Sequence, residues 1–136
     1  MTIFLTILTG VIVFVLGQTI LKLFVEPWQT QRECIAKISN ILTMYANVYL
    51  NPGLAEKDEL KRVSKETRKL AAELVASCNR IPFYEKLSKT KLFPPLETIQ
   101  DIQGNLIDLS NSVYERDNAN HNYSIMKNIK KLLNLK

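Results

Sequence analysis

The stretch Ile3–Val25, IFLTILTGVIVFVLGQTILKLFV, is apolar throughout except for a few small polar residues, and its one charge is Lys22. A helix rises about 1.5 Å per residue, so this stretch would reach roughly 34 Å. The hydrocarbon core of a bilayer is about 30 Å thick. The sequence therefore predicts a membrane-spanning helix, within an anchor segment 1–27 that holds the rest of the chain at the membrane.

A cleavable signal peptide is the competing interpretation of the same stretch. It would need a basic segment before the apolar run and a cleavage site with small residues after it. Only Met1 and Thr2 precede the run, and Lys-Leu-Phe-Val-Glu-Pro-Trp follows it with no A-x-A-like site. These flanks favour an anchor that is retained.

Positive charges lie on one side of the predicted span. Lys22, Arg32 and Lys37 follow it closely, whereas no Lys or Arg precedes it. The positive-inside rule therefore predicts an N-terminus outside and a C-terminal domain in the cytoplasm. Lys22 can extend towards the head groups, and Trp28 fits an interfacial aromatic residue. Glu26, next to the lipid boundary, can pair with Lys22 at a spacing of four.

One side of the predicted span carries small and polar residues. Thr6, Gly10 and Gly17 fall on nearly one helical face, and Thr6-xxx-Gly10 is a small-xxx-small pair that lets two helices approach closely. Gln18 would gain from a partner across such an interface. We expect helix packing in the membrane through these four residues. The alternative is that Thr and Gly are simply common in spans and that Gln18 lies near the interface.

The 136 residues carry a formal charge of +5, and its distribution matters more than its size. Residues 26–117 hold 13 basic and 13 acidic side chains, so this segment is neutral. The excess lies in the segment 118–136, with Lys127, Lys130, Lys131 and Lys136. A basic surface for nucleic acid would extend over a domain, so we expect no nucleic-acid partner.

Apolar residues recur at steps of three and four in three segments, which predicts helices over 28–50, over 54–79 and from Pro94-Pro95 to near Arg116. Asn51-Pro52-Gly53 and Ile81-Pro82 separate them as helix breakers. Glu26-Pro27 follows the span directly, so the helix over 28–50 is either a new helix or a bent continuation of the anchor. No strand-like alternation persists. The expected fold class is all-α, with a small helical bundle over 28–117. Its predicted core stripes are Ile35, Ile38, Ile41, Leu42, Tyr45, Val48, Tyr49; Leu60, Val63, Thr67, Leu70, Leu74, Cys78; and Leu96, Ile99, Ile102, Leu106, Leu109, Val113.

Charged pairs at helical spacing are expected on the outer face of the second helix. Asp58–Arg62 is spaced i,i+4, and Glu59–Arg62 and Glu66–Lys69 are spaced i,i+3. Each such pair stabilises a helix by about 0.2–0.5 kcal/mol. The simplest interpretation of this charged face is that it is solvated.

An aromatic connector joins the second helix to the third. It contains Phe83, Tyr84 and Phe93 between two proline sites. Two roles are open for it: to cap the bundle, which is the commoner one, or to touch the membrane interface. After the third helix, the polar segment Asp117–Asn122 predicts a loop.

The last segment is amphipathic, with apolar residues such as Ile125 and Ile129 on one arc. Lys127, Lys130 and Lys131 lie on the other. Two interpretations are equally open. Together with Lys22 and Trp28, the lysines can contact the membrane surface, as basic amphipathic helices do on anionic lipid. Alternatively, this segment is a final bundle helix with a solvated lysine face.

No motif for catalysis, phosphate binding or metal binding is present. His121 is the only histidine, so a metal site built on several histidines is excluded. A nucleophile–base pair would need Cys34 or Cys78 beside His121, and nothing in the sequence predicts that. We expect a surface position for His121, two buried thiols, no catalytic residue and no cofactor.

Several short segments resemble a group of small, single-span bacterial membrane proteins of unknown function. The resemblance extends over nearly the whole chain and implies a bacterial inner membrane and an intact anchor. It implies no activity, ligand or catalytic residue. The segments are Leu16-Gly17-Gln18, Lys22, Glu26-Pro27 with Gln29, Tyr45-Ala46-Asn47, Ile81-Pro82-Phe83-Tyr84 and Leu109-Ser110-Asn111-Ser112.

The sequence is compatible with two functions. The first is a membrane-anchored interaction or scaffold protein, not an enzyme, which self-associates or docks a protein partner at the cytoplasmic face. The second is a membrane-perturbing or pore-forming effector, such as a toxin or a phage-defence component, with Thr6, Gly10, Gly17 and Gln18 lining an oligomeric pore.

Overall fold

The computed structural model describes residues 1–134, and the part of the chain that it describes is helical without any strand. The all-helical class predicted from the sequence is therefore confirmed. The first helix, α1, runs from Thr2 to Met44 without a break. Its first half, Thr2–Ile20, is exposed at every residue, and its second half, Glu26–Met44, packs into a bundle. The first half is apolar and α1 is long enough to cross a bilayer.

A wide turn joins the two halves of α1. Residues Leu21–Val25 form a π-helical turn, in which the Glu26 N–H donates to the Leu21 carbonyl five residues back. Pro27 follows directly, and a proline ring inside a regular α-helix would clash with the carbonyl four residues before it. The wider turn changes the register of the carbonyls just ahead of the ring. The helix thus continues through a proline that usually ends or kinks one.

The same turn explains why the expected pair of Lys22 and Glu26 does not form. The ion pairs within 4 Å among residues 1–134 do not include it. Side chains four residues apart face each other only on a regular α-helix. The extra residue in the π turn moves Lys22 and Glu26 out of that register.

The bundle is built from the second half of α1 and from helices that run along it. Its elements are α2 (Ala46–Leu50), α3 (Lys57–Asn79), the short α4 (Tyr84–Ser88), α5 (Leu96–Ser112) and α6 (Ala119–Leu132). The closest packing is between α3 and α5, between α1 and α3, and between α5 and α6, while α2 contacts α6. The predicted helix 28–50 is interrupted at Tyr45, whose backbone leaves the helical region before α2 begins.

The predicted stripes form the core. Of the residues expected to face inward, Ile35 and Leu96 are half-buried and the others are buried. The core also receives Ile125, Met126 and Ile129 of α6. The apolar arc of the last segment is thus packed inside the bundle, while Lys127, Lys130 and Lys131 are exposed. The predicted segment 118–136 ends in Leu135 and Lys136, which lie outside the described residues.

The predicted loop Asp117–Asn122 is wrong in part. A 3-10 turn spans Arg116–Asn118, and α6 already begins at Ala119, so His121 and Asn122 are helical. The polar side chains misled the prediction because Asn122 is fully buried and hydrogen-bonded inside the bundle. Its amide N–H donates to the Tyr49 carbonyl at 2.8 Å, one of the carbonyls near the end of α2 that lack a partner in their own helix.

The predicted charge pairs on α3 form only in part. Arg62 and Glu59 lie 3.8 Å apart, as expected. The Asp58–Arg62 and Glu66–Lys69 pairs are not among the ion pairs within 4 Å of the described chain. The Glu66 carboxylate instead accepts a 2.8 Å hydrogen bond from the Tyr45 hydroxyl. Lys69 pairs with Glu73 at 3.7 Å.

The turn between α2 and α3 depends on a glycine. Gly53 has φ +72°, and its N–H donates to the Val113 carbonyl at 2.7 Å. A Cβ at Gly53 would lie 3.1 Å from the Tyr114 carbonyl oxygen and 2.9 Å from a carbon of Arg116. The predicted stop at Asn51-Pro52-Gly53 is confirmed, and this position has room only for glycine.

We therefore predict opposite outcomes for two glycine-to-alanine substitutions. Gly53→Ala should destabilise the bundle by about 1–2 kcal/mol, because alanine is strained at positive φ. Gly104→Ala, on an open face of α5, should stabilise it by about 0.5–1 kcal/mol through helix propensity. Thermal unfolding of the full chain in detergent, followed by circular dichroism, measures both. Equal effects of the two changes would contradict this account of the turn.

Candidate functional site

The end of the bundle nearest Val25 is called the anchor end here. Pro27 is buried only two residues past the apolar stretch, so packing starts at the base of the bundle. The C-terminus of α3 and the connector Arg80–Pro95 meet α1 at Gln31. The opposite end, where Gly53, Ser112 and Asn122 meet, is the far end.

A buried hydrogen-bond network ties the anchor end together. The Gln31 side-chain amide, 1% exposed, donates to the Cys78 sulfur at 3.2 Å and to the Tyr84 hydroxyl oxygen at 3.1 Å. The Tyr84 hydroxyl in turn donates to the Pro94 carbonyl at 2.8 Å. The network therefore joins α1, α3, α4 and the start of α5 through two side chains.

The network fixes the connector against α1. Pro94 lacks an N–H, and its carbonyl lies ahead of α5, where regular helical bonding has not begun. Tyr84 supplies the donor for that carbonyl, and its ring packs edge-on against Phe93 with the ring centres 5.7 Å apart. A buried polar group without a partner costs about 1–3 kcal/mol. The two ends of the connector are thereby held in one arrangement.

The two thiols have environments that suppress their reactivity. Burial, with the nearby Glu73 carboxylate as a second cause, raises the pKa of Cys34 to about 11. Burial also raises the pKa of Cys78, whose sulfur accepts from Gln31 and whose S–H points to the Leu74 carbonyl at 3.6 Å. The thiolate is the nucleophile and the metal ligand, so a raised pKa is typical of structural cysteines.

The histidine is not brought near either thiol. His121 lies on α6, where its Nε2 is 3.0 Å from an Asp108 carboxylate oxygen of α5, and both side chains are about half exposed. Exposed pairs of this kind contribute at most about 1 kcal/mol. Cys34 and Cys78 pack between α1 and α3, on different elements from His121. No group of three metal-ligating side chains occurs within residues 1–134.

The connector carries exposed apolar and basic side chains at the anchor end. Phe83 is 73% exposed and Leu92 is 72% exposed. Arg80, Lys86, Lys89 and Lys91 are exposed around them, against the single acid Glu85. The Lys86 ammonium lies 5.7 Å from the centre of the Phe83 ring.

The small-residue face of α1 is open. A Cβ added at Gly10 or Gly17 would have no neighbour within 4 Å, so nothing in the described chain covers this face. The Thr6 hydroxyl donates to the Thr2 carbonyl at 2.9 Å, which leaves it without a proton for a second helix. Gln18 is exposed. Of the four residues expected to pack in the membrane, Gln18 is the one with a side-chain amide.

The residues expected at a membrane surface fall into two groups. Lys22, within the π turn, and Trp28, directly after Pro27, are exposed on α1. The Arg32 guanidinium stacks over the Trp28 ring, 5.2 Å from its centre. Lys127, Lys130 and Lys131 line the exposed side of α6. The sequence did not single out the connector lysines or Gln31. Gln31 was hard to find because a buried glutamine breaks the apolar pattern that defines a core stripe.

Comparisons of the chain with protein-family models, with curated proteins and with solved structures find no match. Function is therefore argued from the residues and their arrangement.

Removing the hydroxyl at the centre of the network tests its role. Tyr84→Phe leaves the Pro94 carbonyl and one Gln31 N–H without a partner, so we expect a loss of about 1–3 kcal/mol. Tyr123→Phe is the matched control, since Tyr123 is 59% exposed, and it should change stability by less than about 0.5 kcal/mol. Thermal unfolding of both variants in detergent measures these two changes in stability. Equal stability of the two variants would show that the network does not hold the connector.

Proposed function

We propose that this protein is a membrane-anchored helical interaction protein that is not an enzyme. The observation that carries the proposal is the division of α1, whose apolar half is exposed at every residue while its other half supplies the bundle core. An exposed apolar helix of this length is costly in water and favourable in a bilayer. The two halves therefore suit a chain that spans the membrane once and holds a bundle beside it.

The proposed location is the inner membrane of a bacterium, with the N-terminus outside and the bundle in the cytoplasm. The charge asymmetry of Lys22, Arg32 and Lys37 supports this orientation. The resemblance to small single-span bacterial proteins supports the type of membrane. Alkaline extraction would leave a spanning protein in the membrane fraction, and added protease would reach the bundle only from the cytoplasmic side.

The proposed activity is self-association or the docking of a protein partner. Two observations support a binding role over catalysis. The thiols have raised pKa values and the histidine lies on a different element, so the residues of a nucleophilic site are not assembled. The open face at Gly10 and Gly17 allows a second helix to approach closely.

Affinity purification of the tagged full chain from mild detergent, after crosslinking in membranes, tests this function. A homo-oligomer or a stoichiometric complex with another protein is the expected result. A chain that stays monomeric and unaccompanied in the membrane would overturn it.

Bulk on the glycine face should reduce self-association. We expect Gly10→Leu combined with Gly17→Leu to abolish most of the crosslinked dimer, because close backbone approach is lost. Val15→Leu combined with Thr19→Leu places leucine at two positions on the opposite side of the helix and should leave the dimer intact. The measurement is the crosslinked fraction in isolated membranes. A dimer that survives the glycine changes would place the interface elsewhere.

A membrane-perturbing effector is the second candidate, and exposed Gln18 in the apolar half favours it. An amide facing hydrocarbon gains from lining a polar path through an oligomer. This candidate predicts that expression collapses the membrane potential and that Gln18→Leu prevents the collapse. A membrane potential that stays unchanged at high expression would eliminate it and leave the interaction protein.

A further inference from the structure

The height of the connector above the apolar stretch follows from one hydrogen bond. The Tyr84 hydroxyl is hydrogen-bonded to Gln31, which lies six residues past Val25. At about 1.5 Å per residue, Gln31 and this hydroxyl lie about 9 Å beyond the apolar stretch along the helix. The head-group layer on each side of a bilayer is about 5–7 Å thick. The connector therefore lies within a few ångströms of the level where the head groups end.

The backbone of the connector exposes two large apolar side chains. Phe83 has φ 57° and Lys91 has φ 64°, in the left-handed region that residues other than glycine seldom adopt. Phe83, with Lys86 above its ring, and Leu92, next to Lys91, are the most exposed large apolar residues of the bundle. Solvation alone gives no reason to keep a phenylalanine in this backbone state at the surface.

The charge of the connector matches an anionic surface. Arg80, Lys86, Lys89 and Lys91 outnumber Glu85 by four to one, and all five side chains are exposed. The rest of the bundle is not basic in this way, because residues 26–117 as a whole are neutral. Positive charge is thus concentrated on the segment that the hydrogen-bond network holds nearest the lipid.

We propose that the connector Arg80–Pro95 is a second membrane contact that docks on an anionic leaflet. Phe83 and Leu92 insert into the head-group layer, and Lys86, Lys89 and Lys91 bind the lipid phosphates. Aromatic and aliphatic side chains combined with lysines are the usual composition of interfacial contacts. This inference rests on the proposed anchor, since only a spanning α1 brings the connector to that height.

By the same reasoning, α6 contributes less than the connector to the membrane contact. Its apolar arc is buried against α5 and α2, so the helix cannot insert that arc into lipid. Its lysines can add long-range attraction without insertion. The connector, with exposed apolar side chains beside its lysines, is the element that can penetrate.

Depth-dependent fluorescence quenching tests the contact on the full chain. In a Trp28→Phe background, Phe83→Trp places a single tryptophan on the connector. Leu54→Trp places one at the far end, where Leu54 is similarly exposed at 68%. Both proteins are reconstituted into vesicles of phosphatidylcholine and phosphatidylglycerol that carry a nitroxide quencher in the head-group layer. We expect strong quenching and a blue-shifted emission for Phe83→Trp, and neither for Leu54→Trp.

Flotation of the same vesicles separates the two proposals. Protein that fails to float with the lipid would overturn the anchor. Protein that floats while Phe83→Trp stays unquenched would overturn the connector contact and leave the anchor standing. A blue-shifted but unquenched Phe83→Trp would mean that another protein surface covers the connector, which also overturns the lipid contact.

The charge requirement has its own test. Each lysine near an anionic surface is worth about a fivefold change in the contact equilibrium. Replacing Lys86, Lys89 and Lys91 by Gln should therefore reduce quenching in vesicles that contain phosphatidylglycerol. Replacing Lys57, Lys61 and Lys65 on α3 by Gln, towards the far end, should not. Equal quenching in pure phosphatidylcholine, or equal effects of the two triple changes, would contradict a role for lipid phosphates.

Discussion

One helix has to satisfy two environments, and the rest of the molecule depends on how it does so. The surface of the first half of α1 is apolar apart from Gln18, and the hydroxyls of Thr6, Thr9 and Thr19 donate to carbonyls one turn earlier. The second half buries one stripe against α3. The change takes place across Leu21–Val25 and Pro27 without a loop. Because α1 does not break, the position of every bundle element relative to the apolar half is determined by packing on this one helix.

At the anchor end, apolar packing and buried hydrogen bonds have different roles. Apolar stripes hold the long helices together, but they give no reason for the connector to adopt a single path. Gln31 and Tyr84 provide that reason, because burying their polar groups is favourable only when each finds its partner. Asn122 does the same at the far end for the carbonyl of Tyr49. Buried amides thus fix the short elements at both ends.

Much of the fold could be predicted from periodicity, and the reasons for the exceptions are local. The stripe from Leu60 to Cys78 was predicted because each member is apolar or small and the spacing is helical. Gln31 and Asn122 were missed because their burial depends on partners distant in the chain. The continuity of α1 was left open, since Pro27 alone does not reveal whether a π turn precedes it. The connector could be recognised as aromatic, but its height above the apolar half requires the contact with Gln31.

Because α1 is continuous, the angle at which two copies cross in the membrane would determine how far apart their bundles lie. If two copies cross at Gly10 with the roughly 40° angle typical of small-residue pairs, their axes lie about 22 Å farther apart at Gln31, 21 residues along. Each helix is about 10 Å across, so that gap holds one layer of helices from each copy. A change of about 4° in the crossing angle would change that separation by about 2 Å. In such a pair, the continuous helix through Leu21–Val25 would couple the tilt of the apolar half to the distance between the two bundles.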